Sequence, residues 1–182
     1  MRIILFTLLI ACVARTAHAQ PAESKTSLSA VVGGGQTWDD EGSLGRGWSG
    51  GAAIDRALIG GLRAELSIEV LTHDRAESFL QADGHTLIAG ASLLQRFGRG
   101  HAQPYIFAGA TAGRHSGSRT FGDVRLEESS TDFGWRAGVG LAIRAGSKCE
   151  VGPELRMNGF FIDSDSHPAT LLSIAVRFGV RL

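Results

Sequence analysis

Residues 170–182 read TLLSIAVRFGVRL. Every second position is apolar: Leu172, Ile174, Val176, Phe178, Val180 and Leu182. Between them stand Leu171, Ser173, Ala175, Arg177, Gly179 and Arg181, which apart from Leu171 are small or cationic. A period of two marks a β-strand whose faces meet different solvents. A strand that ends the chain, apolar on one face and charged on the other, is what a transmembrane β-barrel uses to close on itself.

The same alternation recurs upstream. In Leu62–Leu71, the residues Leu62, Ala64, Leu66, Ile68 and Val70 oppose Arg63, Glu65, Ser67 and Glu69. In Asp132–Arg144, the residues Phe133, Trp135, Ala137, Val139, Leu141 and Ile143 oppose Gly134, Arg136, Gly138, Gly140 and Arg144. In Cys149–Phe161, Val151, Pro153, Leu155 and Met157 oppose Glu150, Gly152, Glu154, Arg156 and Asn158. Strands are also predicted over Leu28–Trp38, Gly47–Arg56, His85–Phe97 and about Gln103–Arg114. The facing of the Gln103–Arg114 strand stays open between Tyr105/Phe107 and Ile106/Ala108/Ala110/Ala112 as the outer set. Loops are expected at Asp39–Arg46, His73–Gly84, His115–Thr131 and Asp163–Pro168, with shorter turns between the other strands. The expected fold is all-β: an eight-stranded antiparallel up-and-down transmembrane β-barrel, with the longer loops outside.

Composition agrees. Gly is 25 of 182 residues, about twice the usual share of roughly 7%. Net charge is zero, from 18 basic and 18 acidic residues, and so no nucleic-acid partner is expected. No apolar run reaches 18 residues after the N-terminal segment, which excludes a transmembrane helix there. Arg2, the apolar run Ile3–Val13 and Ala17-His18-Ala19 form a secretory signal, with cleavage expected before Gln20. Residues 1–19 are thus read as signal peptide and 20–182 as one barrel domain. The rival, a lipobox at Leu9–Cys12, would leave Cys12 lipidated. Cys149, the other cysteine, is expected to be a buried or lipid-facing small hydrophobe, and no internal disulfide is expected.

Period two alone does not say which face is inside. Charge does. Arg63, Glu65, Glu69, Arg136, Glu154, Arg156 and Arg177 share the small-residue face and carry both signs, so they are read as an interior ion-pair network that plugs a narrow lumen. The opposite face is nearly charge-free, as hydrocarbon requires: a mid-bilayer charge costs about 2–4 kcal/mol. Trp38, Trp48, Phe133, Trp135, Phe160, Phe161 and Phe178 lie near strand ends, as interfacial girdles do. A soluble secreted lipocalin-like barrel would invert these faces.

At this point the chain resembles the small eight-stranded outer-membrane barrels of the OmpA/OmpX type. The signal peptide, Pro104-Tyr105, Gly138-x-Gly140 and the alternating last strand carry the likeness. The family's last residue is usually Phe or Trp; Leu182 stands there, and Phe178 keeps an aromatic on the same face. The resemblance implies a bacterial outer-membrane location. It also implies contact with outer-membrane lipid and lipopolysaccharide, and recognition of the last strand by the barrel-assembly machinery. The function it implies is structural, or surface interaction through the outer loops.

A rim hydrolase acting on lipid or lipopolysaccharide is the alternative. Lipid A deacylases are eight-stranded barrels with His and Ser two residues apart on one strand face, plus a carboxylate. Here His115 and Ser116 are adjacent, and Ser118 is three residues from His115, so no spacing enforces a base–nucleophile contact. No catalytic residue is assigned. Asp163, Ser164, Asp165 and His167, or Asp39, Asp40 and Glu41, could hold a hard cation, but are read as solvated acidic loops. Gly33-Gly34-Gly35 lacks the Lys-Ser/Thr of a phosphate loop. No cofactor or metal is assigned.

Overall fold

The structure is a computed structural model that describes residues 26–39, 42–77, 80–121, 124–161 and 169–182. The signal segment with Cys12, the residues Asp40 and Glu41, and the stretch containing Asp163, Ser164, Asp165 and His167 lie outside the described residues.

Eight strands follow one another: β1 (Thr26–Asp39), β2 (Gly42–Ala57), β3 (Leu62–Glu77), β4 (Leu80–Arg96), β5 (Ala102–Phe121), β6 (Val124–Ala145), β7 (Cys149–Phe161) and β8 (Ala169–Arg181). Each pairs antiparallel with its sequence neighbours, and the sheet is a closed barrel. β8 closes on β1 in a register running from Ser27↔Arg181 to Trp38↔Thr170. The Leu182 amide extends that seam by donating to the Thr26 carbonyl at 3.0 Å. Closure leaves no sheet edge between the first and last strands.

The alternating pattern is obeyed along the wall. Leu66 is 62% exposed and Ile174 68%, whereas Arg63 and Glu154, on the other parity, are 2% and 1% exposed. Apolar side chains face out and ionic ones face in, the reverse of a soluble barrel. The facing left open for β5 is settled too. Tyr105 and Phe107 are buried inside, while Ala108 and Ala110 are exposed outside. The reason lies across the strand: Tyr105 pairs with Gly140 and Phe107 with Gly138. Each ring lies over the bare backbone of its glycine, where a Cβ would collide with the ring.

Three short turns, at residues 58–61, 97–101 and 146–148, lie at one end of the barrel. Gly60, Gly61, Gly98 and Gly146 take positive φ there, which suits glycine.

The opposite end differs from expectation. Three of the stretches read as loops are largely strand. Pairing continues to Asp39↔Gly42, Glu77↔Leu80 and Phe121↔Val124. Backbone hydrogen bonds carry a hairpin onward whatever its side chains. Above a bilayer both faces meet water, so alternation fades while pairing persists. One aromatic assignment also changes. Phe160 is buried in the lumen at 3% exposure and is no girdle residue. Trp48, Phe133 and Phe161 do stand outside, at 74, 70 and 67% exposure. Cys149 is exposed at the start of β7, beside a turn and opposite Val180, so it is not buried. Gly33, Gly34 and Gly35 lie mid-strand in β1.

Candidate functional site: the lumen

The inward parity of β2, β3, β6, β7 and β8 brings charges from distant parts of the chain into one narrow space. Arg63, Glu65, Glu69, Arg136, Glu154, Arg156 and Arg177 all lie there, none more than 5% exposed. Arg177 is the hub. Its Nη1 lies 2.6 Å from Glu65 Oε2 and 3.2 Å from Glu154 Oε2, and its Nη2 lies 3.6 Å from Asp55 Oδ2. Arg156 reaches across to Glu69 and along its own strand to Glu154. Arg63 donates from Nε to Asp55, and from Nη2 to Ser27 Oγ at 3.1 Å. Arg136 is held more loosely, 4.0 Å from Glu65 Oε1, and donates to Ser67.

Three further members were not singled out in the sequence. Asp55 is completely buried beside Arg63. Arg96 grips Glu150 with both terminal nitrogens, at 2.8 and 2.6 Å. The signal was available: all three lie on the parity opposite their strand's apolar set. Counted together, five guanidinium groups meet five carboxylates across the lower and middle lumen. In this low-dielectric space each charge depends on its partner.

Aromatic rings complete the packing. The Tyr105 hydroxyl donates to Glu154 Oε2 at 2.6 Å. The Arg136 and Arg156 guanidinium carbons lie 5.4 and 5.8 Å from the Phe107 ring centre, within cation–π range. The space left between Arg96, Tyr105, Glu150 and Arg177 is about 10 Å³, room for about one water molecule.

Higher up the filling changes. Leu71, Ile88, Phe160 and Leu171 form an apolar layer, each 3% exposed or less. His115 sits edge-on to the Phe160 ring at 5.0 Å. Its Nδ1 is 2.9 Å from Thr86 Oγ1 and its Nε2 is 3.4 Å from Asp132 Oδ2. Asp132 also accepts from the Ser130 hydroxyl at 3.1 Å. The neighbouring Arg114 faces outward between Leu87 and Thr131.

Residues 115–118 belong to β5 and form no loop, so positions 115 and 118 fall on opposite faces of the strand. The Ser118 side chain is outside the described ones. The partners of His115 are Thr86 and Asp132 instead. Among the described residues, no group of three or more His, Cys, Asp or Glu could hold a metal ion.

The family model for the outer membrane protein beta-barrel domain matches residues 4–180. Neisserial surface protein A is similar in structure with a TM-score of 0.70 and 16% identity, over 89% of this chain and 100% of that one. Ail, the attachment invasion locus protein of Yersinia pestis, gives a TM-score of 0.57 at 15% identity, over 87% of this chain and 99% of that one. The outer membrane enzyme PagL gives 0.54 at 19% identity, over 86% and 99%. At such identities the likeness is one of fold. No curated protein matches the sequence.

Proposed function

The chain belongs to the outer membrane protein beta-barrel domain family, and from that premise we propose a barrel sealed to solutes that acts through its outer hairpins. The observation that carries this reading is the matched pairing of buried charge. Arg177 alone engages Asp55, Glu65 and Glu154. A conduit would need these groups hydrated; here they pair by charge with one another in a lumen just wide enough for side chains. The test is conductance of the purified protein in a planar bilayer. No steady current is expected, and an ohmic current at neutral pH would overturn the seal.

What supports a role for the outer end is length. β5 and β6 have 20 and 22 residues, where a crossing takes about 9–11. The surplus stands beyond the bilayer opposite the three short turns, which family geometry assigns to the periplasm. On this reading the surplus makes structural or adhesive surface contacts, including with lipopolysaccharide. Residues 1–19 would direct export and be removed, and β8 would be read by the assembly machinery.

A second reading, a rim hydrolase acting on lipid or lipopolysaccharide, draws on the series Thr86–His115–Asp132: a hydroxyl, an imidazole and a carboxylate in contact. Against it, Thr86 is 2% exposed, which leaves its oxygen no approach for an ester carbonyl. His115→Ala is expected to leave the lipid A profile of the expressing cell unchanged. A changed profile would favour the enzyme.

A further inference from the structure

Two guanidinium groups of the lower lumen share one small hollow. Arg96 and Arg177 line it together with Tyr105, Glu150, Ala142 and Gly152. Its volume is about 10 Å³. Small residues leave that room: Ala142 and Gly152 lie where the β6–β7 ladder lapses, between Gly140↔Glu154 and Ile143↔Val151.

The walls are rich in donors. Glu150 already accepts from both terminal nitrogens of Arg96, at 2.8 and 2.6 Å. The Tyr105 hydroxyl directs its proton to Glu154. Three guanidinium nitrogens remain without a hydrogen-bond partner: Arg96 Nε, Arg177 Nε and Arg177 Nη2. The last has an ionic contact to Asp55 at 3.6 Å. Arg96 and Arg177 are 4% and 5% exposed, so bulk water does not reach these nitrogens. Among the lining side chains, no buried acceptor is left unpartnered.

The balance of charge favours an anion. Arg144 and Arg181 share the inward parity at the short-turn end, where Arg144 stands opposite Glu150 and Arg181 opposite Ser27. With them, seven guanidinium groups of the lower and middle lumen stand against five carboxylates, those of Asp55, Glu65, Glu69, Glu150 and Glu154. Leu182 lies at the same rim, its amide bonded to the Thr26 carbonyl. A carboxyl group there, counted in full, still leaves one positive charge over. Water would fill the hollow and leave that charge unbalanced, which is costly at low dielectric. A small monovalent anion does both. A halide has no proton in need of an acceptor, and it takes several N–H groups at once. The guanidinium groups end flexible stems, which widen the space from the size of a water to that of a halide.

We propose that the lower lumen holds a single monovalent anion of halide size between Arg96 and Arg177, accepting from Arg96 Nε and from Arg177 Nε and Nη2. The inference rests on the sealed-lumen reading above. The ion is a fixed part of the plug and does not permeate.

The test uses the full mature protein, refolded from urea into detergent with sodium bromide as the only halide. One portion is crystallised, and another is passed into halide-free buffer for elemental analysis. Wild type should retain a single bromide per chain, with its anomalous signal within hydrogen-bond reach of Arg96 Nε and Arg177 Nη2. Ala142→Val fills the hollow without touching a charge, and Arg96→Gln removes one of the two guanidinium groups. Each should retain no bromide above background. If one variant does not fold, the other still supplies the comparison. Wild type without bromide, bromide at another place, or equal retention by wild type and a folded variant would overturn the inference. Conductance separates the two levels. An ohmic current through wild type would sink the sealed lumen itself, whereas a non-conducting barrel without the ion sinks this inference alone.

Discussion

The two ends of the lumen are stopped by opposite chemistry. From the short turns to mid-barrel, guanidinium and carboxylate groups fill it, with Arg177 at the centre and Arg96 paired with Glu150 below it. Near the outer mouth Leu71, Ile88, Phe160 and Leu171 fill it, with His115 resting on the Phe160 ring. The first kind of filling is demanding. A buried charge without its partner is costly, so each residue specifies others on different strands. The second kind is tolerant, since apolar contacts have no required partner and lose energy in proportion to the atoms removed.

That contrast ranks the consequences of mutation. Arg177→Met should cost most, about 3–5 kcal/mol, because it leaves Asp55, Glu65 and Glu154 without their shared cation. The readout is the urea midpoint of refolding into lipid vesicles. A loss below about 1 kcal/mol would mean that water already screens those carboxylates. Phe160→Ala should follow at about 3 kcal/mol, the low end for a buried aromatic, because the mouth lets neighbours relax into the space. If it exceeded Arg177→Met, the ranking of demanding and tolerant halves would be reversed. The smallest effect is expected from Arg96→Met combined with Glu150→Gln. This removes both members of a two-residue unit and should stay within about 1 kcal/mol of wild type, although either change alone costs more. A non-additive cycle of that kind would show that Arg96 and Glu150 depend on each other, and additive losses would mean that each acts alone.

Much of the wall was legible before any coordinates. In β3, β6, β7 and β8 the apolar parity is unbroken, and the faces follow from it residue by residue. For β7 even the ends, Cys149 and Phe161, agree. In β5 it was not legible. Tyr105 and Phe107 compete with a row of small residues, and only the glycines opposite them on β6 decide that the rings turn inward. Phe160 was misplaced for a related reason: near a strand end, an aromatic suits a girdle and a mouth plug equally. The outer hairpins were under-read because periodicity records a difference between two solvents, and there is no difference above the membrane.

The sequence by itself determined which residues share a face, which face meets hydrocarbon, and that the ionic groups lie inside. A period of two is a local property, and each strand states it alone. Only the tertiary structure decided who meets whom. Arg156 reaches Glu69 across 87 residues of chain and Arg96 reaches Glu150 across 54. Those meetings depend on the register in which eight strands close, a property of the whole ring that no single strand encodes.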